Sequence, residues 1–143
     1  MAFEFIDRNV AGEYEATQEQ YKGIPMEWNF NVDTKEFVIN NQGHIDVVEG
    51  QDAIKIWVYK CLMTARGKYM AYDFSFGNDI EYLLEQNIDR DLLKVEAKRL
   101  VVEALMVNEH INSVTNIEVT IKDRTLKIEL TVNTDYGDIE IKY

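Results

Sequence analysis

The chain has 143 residues and 16.7 kDa, the size of one ordinary domain with a self-sufficient core. Its 46% hydrophobic and 29% charged residues are typical of a globular protein rather than a disordered or membrane-spanning one. A net charge of −11 repels phosphate backbones and anionic lipids, which argues against nucleic-acid and membrane partners. The single cysteine, Cys61, cannot form an internal disulfide and indicates an intracellular place of assembly.

Residues 1–24 fit neither the helical nor the strand period, so they predict an N-terminal arm that is ordered by whatever it touches. The domain proper is predicted over 25–143. Residues 1–50 hold ten acids and three bases, which indicates either simple solubility or a surface that meets a basic partner. Three short strands are predicted at the start of the domain, over 28–32, 37–39 and 45–48.

Three helices are predicted in the middle of the chain. The first begins near Asp52, is apolar nearly all round and is therefore expected to lie centrally. It is expected to end near Gly67, because glycine readily adopts the left-handed conformation after a helix. A short second helix begins near Gly77, and Asn87 or Asp89 caps a longer third helix. The apolar face of this third helix is Leu93, Ala97, Leu100, Val101, Ala104 and Leu105.

From Val114 onward the apolar period changes to two, which predicts an antiparallel meander with one buried face. Turns at 122–125 and 135–137 separate its strands, and the last strand runs from Gly137 to Tyr143. Strands, then helices, then strands predict a single α+β domain with about three helices packed on one face of a sheet.

Patterns that carry catalysis or bind metals are scarce. His44, Cys61 and His110 lie in different elements and lack the spacing of a zinc site, so we interpret the histidines as surface residues and the cysteine as packed. Glycine-rich phosphate loops and the G-x-S-x-G motif are absent. No acid lies in a clearly buried pattern that would raise its pKa. We therefore predict a protein that is not an enzyme and that holds no cofactor and no metal.

Two segments carry more information than the rest of the chain. The first, 64–77, links two helices through an extended aromatic stretch beside the densest local positive charge. The second, 107–114, leads from the long helix into the meander. Both can also be ordinary connections whose side chains cover the core. The candidates for partner contact in these segments are Arg66, Gly67, Lys68, Tyr69, Phe76, Gly77, Glu109 and His110.

In this order and spacing, the segments resemble the sheath-initiator, or baseplate wedge, family of contractile phage tails and related injection systems, notably its XkdS-like branch in PBSX-type prophages. The resemblance covers residues 27–135. The wider family carries Glu-Pro-Arg at the end of the long helix, where it contacts neighbouring wedge subunits; here only Glu109 matches, and His110 replaces the proline. The ordered motifs are Val47-Val48-Glu49-Gly50, Thr64…Gly67…Tyr69, Phe76-Gly77, Ile80…Leu83-Leu84 and Asn108…Ile111…Val114.

The resemblance implies a fold like the conserved domain of contractile sheath proteins, in a structural subunit that templates the first sheath ring. The implied partners are the sheath protein, other wedge proteins and tube or hub proteins, with about six copies in each symmetric baseplate. The implied location is the baseplate of a virion or tail particle assembled in the bacterial cytoplasm. The alternative functions are an acidic inhibitor that mimics nucleic acid and, third, a murein hydrolase.

Because the sheath-like family works by exchanged strands, the resemblance also implies that a sheath arm adds to a sheet edge of this protein. We expect the terminal strand to be that edge. Ile139 and Ile141 would hold the strand on the core, while Glu140 alternates with them and faces outward. The alternative edge lies near 28–32.

Overall fold

The computed structural model describes residues 22–71, 73, 75–123 and 125–143, so residues 1–21 of the predicted arm lie outside the described part. The element order confirms the predicted α+β domain with three helices. Within the described residues, no helix is long and apolar enough to cross a membrane. In chain order the elements are β1 (Met26–Trp28), β2 (Phe30–Asn31), β3 (Glu36–Phe37), β4 (Val47–Glu49), α1 (Gln51–Met63), α2 (Ile80–Glu85), α3 (Arg90–Leu105), β5 (Ile111–Lys122), β6 (Thr125–Thr134) and β7 (Gly137–Lys142).

The short strands predicted at the start of the domain pair with one another as a hairpin. β1 pairs antiparallel with β4, and β2 pairs antiparallel with β3. The two pairs meet at Asn29, whose N–H donates to the carbonyl of Asp46 at 2.8 Å while its own carbonyl accepts from Val38 at 2.9 Å. Because the two backbone groups of Asn29 bond to different partner segments, the predicted 28–32 strand is divided into β1 and β2. We call residues 24–49 the N-terminal hairpin.

Helix α1 occupies the predicted central position, because it packs against both the N-terminal hairpin and strand β7. Its end differs from the prediction. The helix stops at Met63, Thr64 is extended, and Gly67 adopts a φ of 74° only three residues later. Its buried side chains face both neighbours: Ala53, Ile54, Ile56, Val58, Cys61 and Leu62.

The C-terminal sheet has the predicted antiparallel order β5–β6–β7 and buries one face. All six predicted apolar residues of α3 are buried, and the helix is capped by Asp89, whose carboxylate accepts from the N–H of Asp91 at 3.1 Å. Helix α3 packs against β5 while α1 packs against β7, so the helices cover the apolar sheet face. The strand residues of this core include Val119, Ile128, Leu130, Val132, Ile139 and Ile141.

Cys61 provides a direct test of this core. Its side chain is fully buried, with Sγ 3.6 Å from the carbonyl oxygen of Ala104 on α3. Burial raises the pKa of the Cys61 thiol from 9.0 to about 11. Since the thiolate is the reactive form, we expect a maleimide to label the folded protein at pH 8 about 100-fold more slowly than the chain unfolded in guanidinium. Equal labelling rates would contradict the packing of α1 on α3.

Candidate interaction site

The connection between α1 and α2 is more strongly tied to the helices than its sequence indicates. The guanidinium of Arg66 lies 3.2 Å from the carboxylate of Asp79 and 3.4 Å from that of Glu103 on α3. Its Nε is buried without a hydrogen-bond partner among the described residues. The side chain is therefore directed toward the protein, and Arg66 holds the connection against α3. Such a half-buried pair contributes modestly to stability, because desolvation offsets much of the attraction.

Gly77 and Asn78 form the fixed point of this connection. Gly77 has a φ of 102°, and a Cβ atom placed there would lie 2.9 Å from the carbonyl oxygen of Thr64. Asn78 is 4% exposed, and its amide nitrogen donates to the carbonyls of Cys61, Leu62 and Thr64 at 2.9, 2.8 and 3.1 Å. These carbonyls lie at the end of α1, where C=O groups lack intrahelical donors, so the side chain of Asn78 caps that helix. The carbonyls of Cys61 and Thr64 also accept from the backbone N–H groups of Thr64 at 3.4 Å and of Asn78 at 3.0 Å.

The same side chain begins the next helix, because its carbonyl oxygen accepts from the N–H of Ile80 at 3.1 Å. One residue thus satisfies the end of α1 and the start of α2. Asn78 lies near the predicted start of the second helix, but no local signal in the sequence marks its capping role. Among the described residues of 69–76, residues 70, 71 and 75 lie in turns and Phe76 in a bend, so the prediction of one extended stretch there is wrong.

The exit from α3 places Glu109 and His110 in different environments. Glu109 is exposed, whereas His110 is 6% exposed, which corrects its interpretation as a surface histidine. The turn between β6 and β7 covers His110. Its Nδ1 lies 3.4 Å from the Asp135 carboxylate, and its ring packs on that of Tyr136 with the ring centroids 6.1 Å apart. Nδ1 has no hydrogen-bond partner within the part of the chain that the structure describes.

Asp135 joins three separate segments of the chain. Its carboxylate accepts from the side-chain amide of Asn112 at 3.1 Å and pairs with the ammonium of Lys22 at 3.4 Å. The hydrogen bond from Asn112, together with the nearby positive charge of Lys22, lowers the pKa of the Asp135 carboxyl below its usual range. The start of the described chain is thereby attached beside the α3–β5 connection.

The structure brings the two predicted segments together at one groove. This groove has a volume of about 460 Å³ and lies between the start of β1, helix α1 and the two connections. Phe76 from the first segment packs edge-to-face on Trp57, with ring centroids 5.7 Å apart, and Glu109 and His110 from the second segment also line the groove. Trp57 is half-buried here rather than enclosed in the core.

Strand β7 lies at an edge of the C-terminal sheet, as predicted. Ile128 and Tyr143 exchange two backbone hydrogen bonds of 2.8 Å, and the register pairs Leu130 with Ile141. Since antiparallel strands alternate the direction of their backbone groups, Ile139 and Ile141 bond to β6 and Glu140 points away from it. The side chains of Ile139 and Ile141 are buried, and that of Glu140 is exposed.

Side chains of α1 cap this edge on both sides of Glu140. The amide of Gln51 donates to the carbonyl of Asp138 at 3.2 Å, and the hydroxyl of Tyr59 donates to that of Lys142 at 3.1 Å. The backbone N–H and C=O of Glu140 have no partner among the described residues. The free part of the edge is therefore centred on one residue.

The other edge of the sheet is β5, which is not one of the two edges predicted from the sequence. By the same alternation, the backbone groups of Val119 and Ile121 point away from β6 and have no partner in the described part of the chain. The β5–β6 register shifts twice, between Ile111 and Ser113 and between Thr115 and Glu118. These shifts mark bulges, which interrupt regular pairing along the strand.

The predicted contact residues thus separate into two groups. Ile139, Ile141, Phe76, Gly77, Arg66 and His110 are buried or packed inward. The exposed candidates are Gly67, Lys68, Tyr69, Glu109 and Glu140. Among the residues described, no cluster of three or more His, Cys, Asp or Glu side chains could hold a metal ion.

Comparison with known proteins identifies the family. Residues 26–137 match the family described as contractile injection system sheath initiator. The chain is also 30% identical over 140 residues to the phage-like element PBSX protein XkdS of Bacillus subtilis (strain 168), which covers 97% of this chain and 90% of that protein. The chain belongs to the sheath-initiator family of contractile injection systems, whose members are structural components of the tail baseplate.

Proposed function

We propose that this protein is a non-catalytic baseplate subunit that templates the first sheath ring by accepting a sheath arm as an added strand on β7. About six copies would surround the tube end, in contact with sheath, wedge and tube or hub proteins, after assembly in the bacterial cytoplasm. The observation that carries the proposal is the outward-facing, unpartnered backbone of Glu140 at the edge of the sheet. An edge of this kind is a template for another chain.

The regularity of β7 favours it over β5 as the acceptor. Six consecutive residue pairs join β6 to β7 without a register shift, whereas the β5–β6 pairing shifts twice. An incoming strand can form hydrogen bonds over a longer unbroken length on the regular edge. The side chain of Gln51 is exposed and can rotate away from the carbonyl that it caps, whereas Tyr59 is half-buried against the core and caps the end of the strand. These caps would keep the free protein from pairing with itself before the sheath arrives.

The substitution Glu140→Pro tests this edge. Proline removes the N–H of residue 140, which points away from β6, and leaves the β6–β7 hydrogen bonds in place. We expect the variant to fold and to enter baseplates, but to yield bare tubes when tail particles are viewed by negative-stain electron microscopy. Full-length sheaths on baseplates that contain the variant would rule out β7 as the acceptor.

Three control variants make the result specific. Glu140→Gln removes the charge but keeps the N–H, and we expect normal sheaths from it. Ile121→Pro removes an outward N–H from β5, and we also expect normal sheaths; bare tubes from it alone would assign the arm to β5. Ile141→Pro removes an N–H that bonds to β6, and we expect it to destabilise the domain itself.

A further inference from the structure

The N-terminal hairpin exposes an apolar face that no described residue covers. Trp28 lies directly opposite Val47 in the β1–β4 register, and Met26 lies opposite Glu49. Because side chains alternate across a strand, these four residues share one face of the two-stranded sheet. Met26, Trp28 and Val47 are 61%, 54% and 48% exposed. Further exposed apolar residues of the hairpin are Ile24, Phe37, Val38 and Ile39.

The opposite face of the same two-stranded sheet is covered by helix α1. There Glu27 pairs with Lys60 of α1 at 2.7 Å, and Val48 is half-buried. Helix α1 thus covers one face of the sheet and leaves the other bare. Single exposed apolar residues are common on protein surfaces, but a contiguous group is typical of a protein interface.

The segment of the chain that forms this face is acidic. Between residues 22 and 52 the sequence has six acids and two bases. Glu27 and Lys22 already have ion-pair partners. Glu49 lies on the apolar face itself, and within the described residues it forms no ion pair. The other acids of this segment without an ion pair are Asp33, Glu36, Asp46 and Asp52, of which Asp52 lies on the covered side and lines a cleft together with Val48.

The negative charge near this face decides which kind of partner can bind there. A second copy of this chain would bring the same acids and a net charge of −11 against them. Residues 1–21 of the chain itself carry five acids and one base, so they are also repelled. A surface of opposite charge is attracted and excludes like-charged competitors.

We propose that the exposed face of the N-terminal hairpin is a second docking surface, distinct from the β7 edge, for a protein that presents an apolar patch rimmed by Lys and Arg. The apolar patch would cover Met26, Trp28 and Val47, and the basic rim would neutralise Glu36 and Glu49. This proposal depends on the proposed function in one respect: the partner is expected to be a protein of the assembling particle. Attraction of this kind weakens as salt is added.

Photocrosslinking tests the surface in cells that assemble the particles. We place p-benzoylphenylalanine at position 28 and, as a matched control, at Leu92, an apolar residue of α3 that is 51% exposed. We expect position 28 to yield at least five times more product with another protein than position 92. Mass spectrometry should locate the attachment in a segment whose apolar residues are flanked by Lys or Arg.

Charge reversal then separates the proposed partner from nonspecific apolar contact. In the Glu36→Lys/Glu49→Lys background we expect the crosslinked product to fall at least threefold. The proposal is overturned by attachment to a second copy, by attachment within residues 1–21, by a yield no higher than that of the control, or by a yield unaffected by charge reversal. A separate measurement tests the proposed function: the chain should sediment with purified tail particles. The crosslinking result does not depend on this measurement, so the two proposals can fail independently.

Discussion

The variant Gly77→Ala is expected to lose about 2–4 kcal/mol of unfolding free energy, a large share of the stability of a domain of this size. Two physical effects add at this position. A φ of 102° is a conformation that a residue with a side chain adopts only under strain, and the added Cβ would lie 2.9 Å from the carbonyl oxygen of Thr64 and 3.1 Å from the Cα of Arg66. Both neighbours are backbone atoms, so neither can rotate away. Urea unfolding followed by circular dichroism measures the loss.

Gly43 is the matched control for this substitution. It has a φ of 82°, but a Cβ placed there would meet nothing within 4 Å. Gly43→Ala therefore isolates the conformational effect, and we expect it to cost about 1 kcal/mol. If the two alanine variants lose equal stability, the close packing of Gly77 against the α1–α2 connection is wrong.

This packing changes how the candidate contact residues are understood. Because Gly77 and Arg66 fix the connection on the helices, the exposed Lys68 and Tyr69 are presented from a supported turn rather than from an isolated loop. A partner that binds there loses less conformational entropy than one that must first order the segment. A turn that keeps its shape would thus favour assembly even where its side chains do not contact the partner.

Sequence periodicity predicted those parts of the fold that depend on local patterns. The face of α3 and the three C-terminal strands were predicted because an apolar period of 3.6 or 2 directly reflects which side is buried. The end of α1 was missed because the cap comes from Asn78, which is 15 residues beyond Met63 in the chain. Gly67 was the strongest local signal, but a tertiary hydrogen bond ended the helix earlier.

That the two chosen segments contact a partner stays a prediction, and the orientation of their side chains was not predicted. Both chosen segments do meet at one groove, yet a sequence does not show which way a side chain turns. Arg66 is a predicted candidate for partner contact, but Asp79 and Glu103 draw it inward. His110 is covered by a turn that lies 25 residues later in the sequence, at Asp135. These contacts depend on the assembled fold, which local spacing does not reveal.

The substitution of Asn78 is the second large perturbation that we expect. Asn78→Ala removes the donor shared by the carbonyls of Cys61, Leu62 and Thr64 and the acceptor for the N–H of Ile80. The carbonyls of Cys61 and Thr64 each keep a backbone donor, so the groups left without a partner are the carbonyl of Leu62 and the N–H of Ile80. Buried polar groups that lose their partners typically cost 1–3 kcal/mol each, and relaxation recovers part of that, so we expect a loss of about 2–4 kcal/mol. The urea midpoint measures it, and the slope should be unchanged if the unfolded state is the same.

Two further variants identify the capping role itself. Asn31 is an exposed asparagine whose side chain accepts from the N–H groups of Asp33 and Thr34 in a turn, and Asn31→Ala should cost under about 1 kcal/mol. Asn78→Asp keeps the shape but points a carboxylate at three carbonyl oxygens, which favours its protonated form and raises its pKa in the folded state. A raised folded-state pKa means that stability is lost as the pH rises. The deficit of Asn78→Asp relative to the parent protein should therefore be larger at pH 7 than at pH 4, and a deficit independent of pH would show that Asn78 does not cap α1.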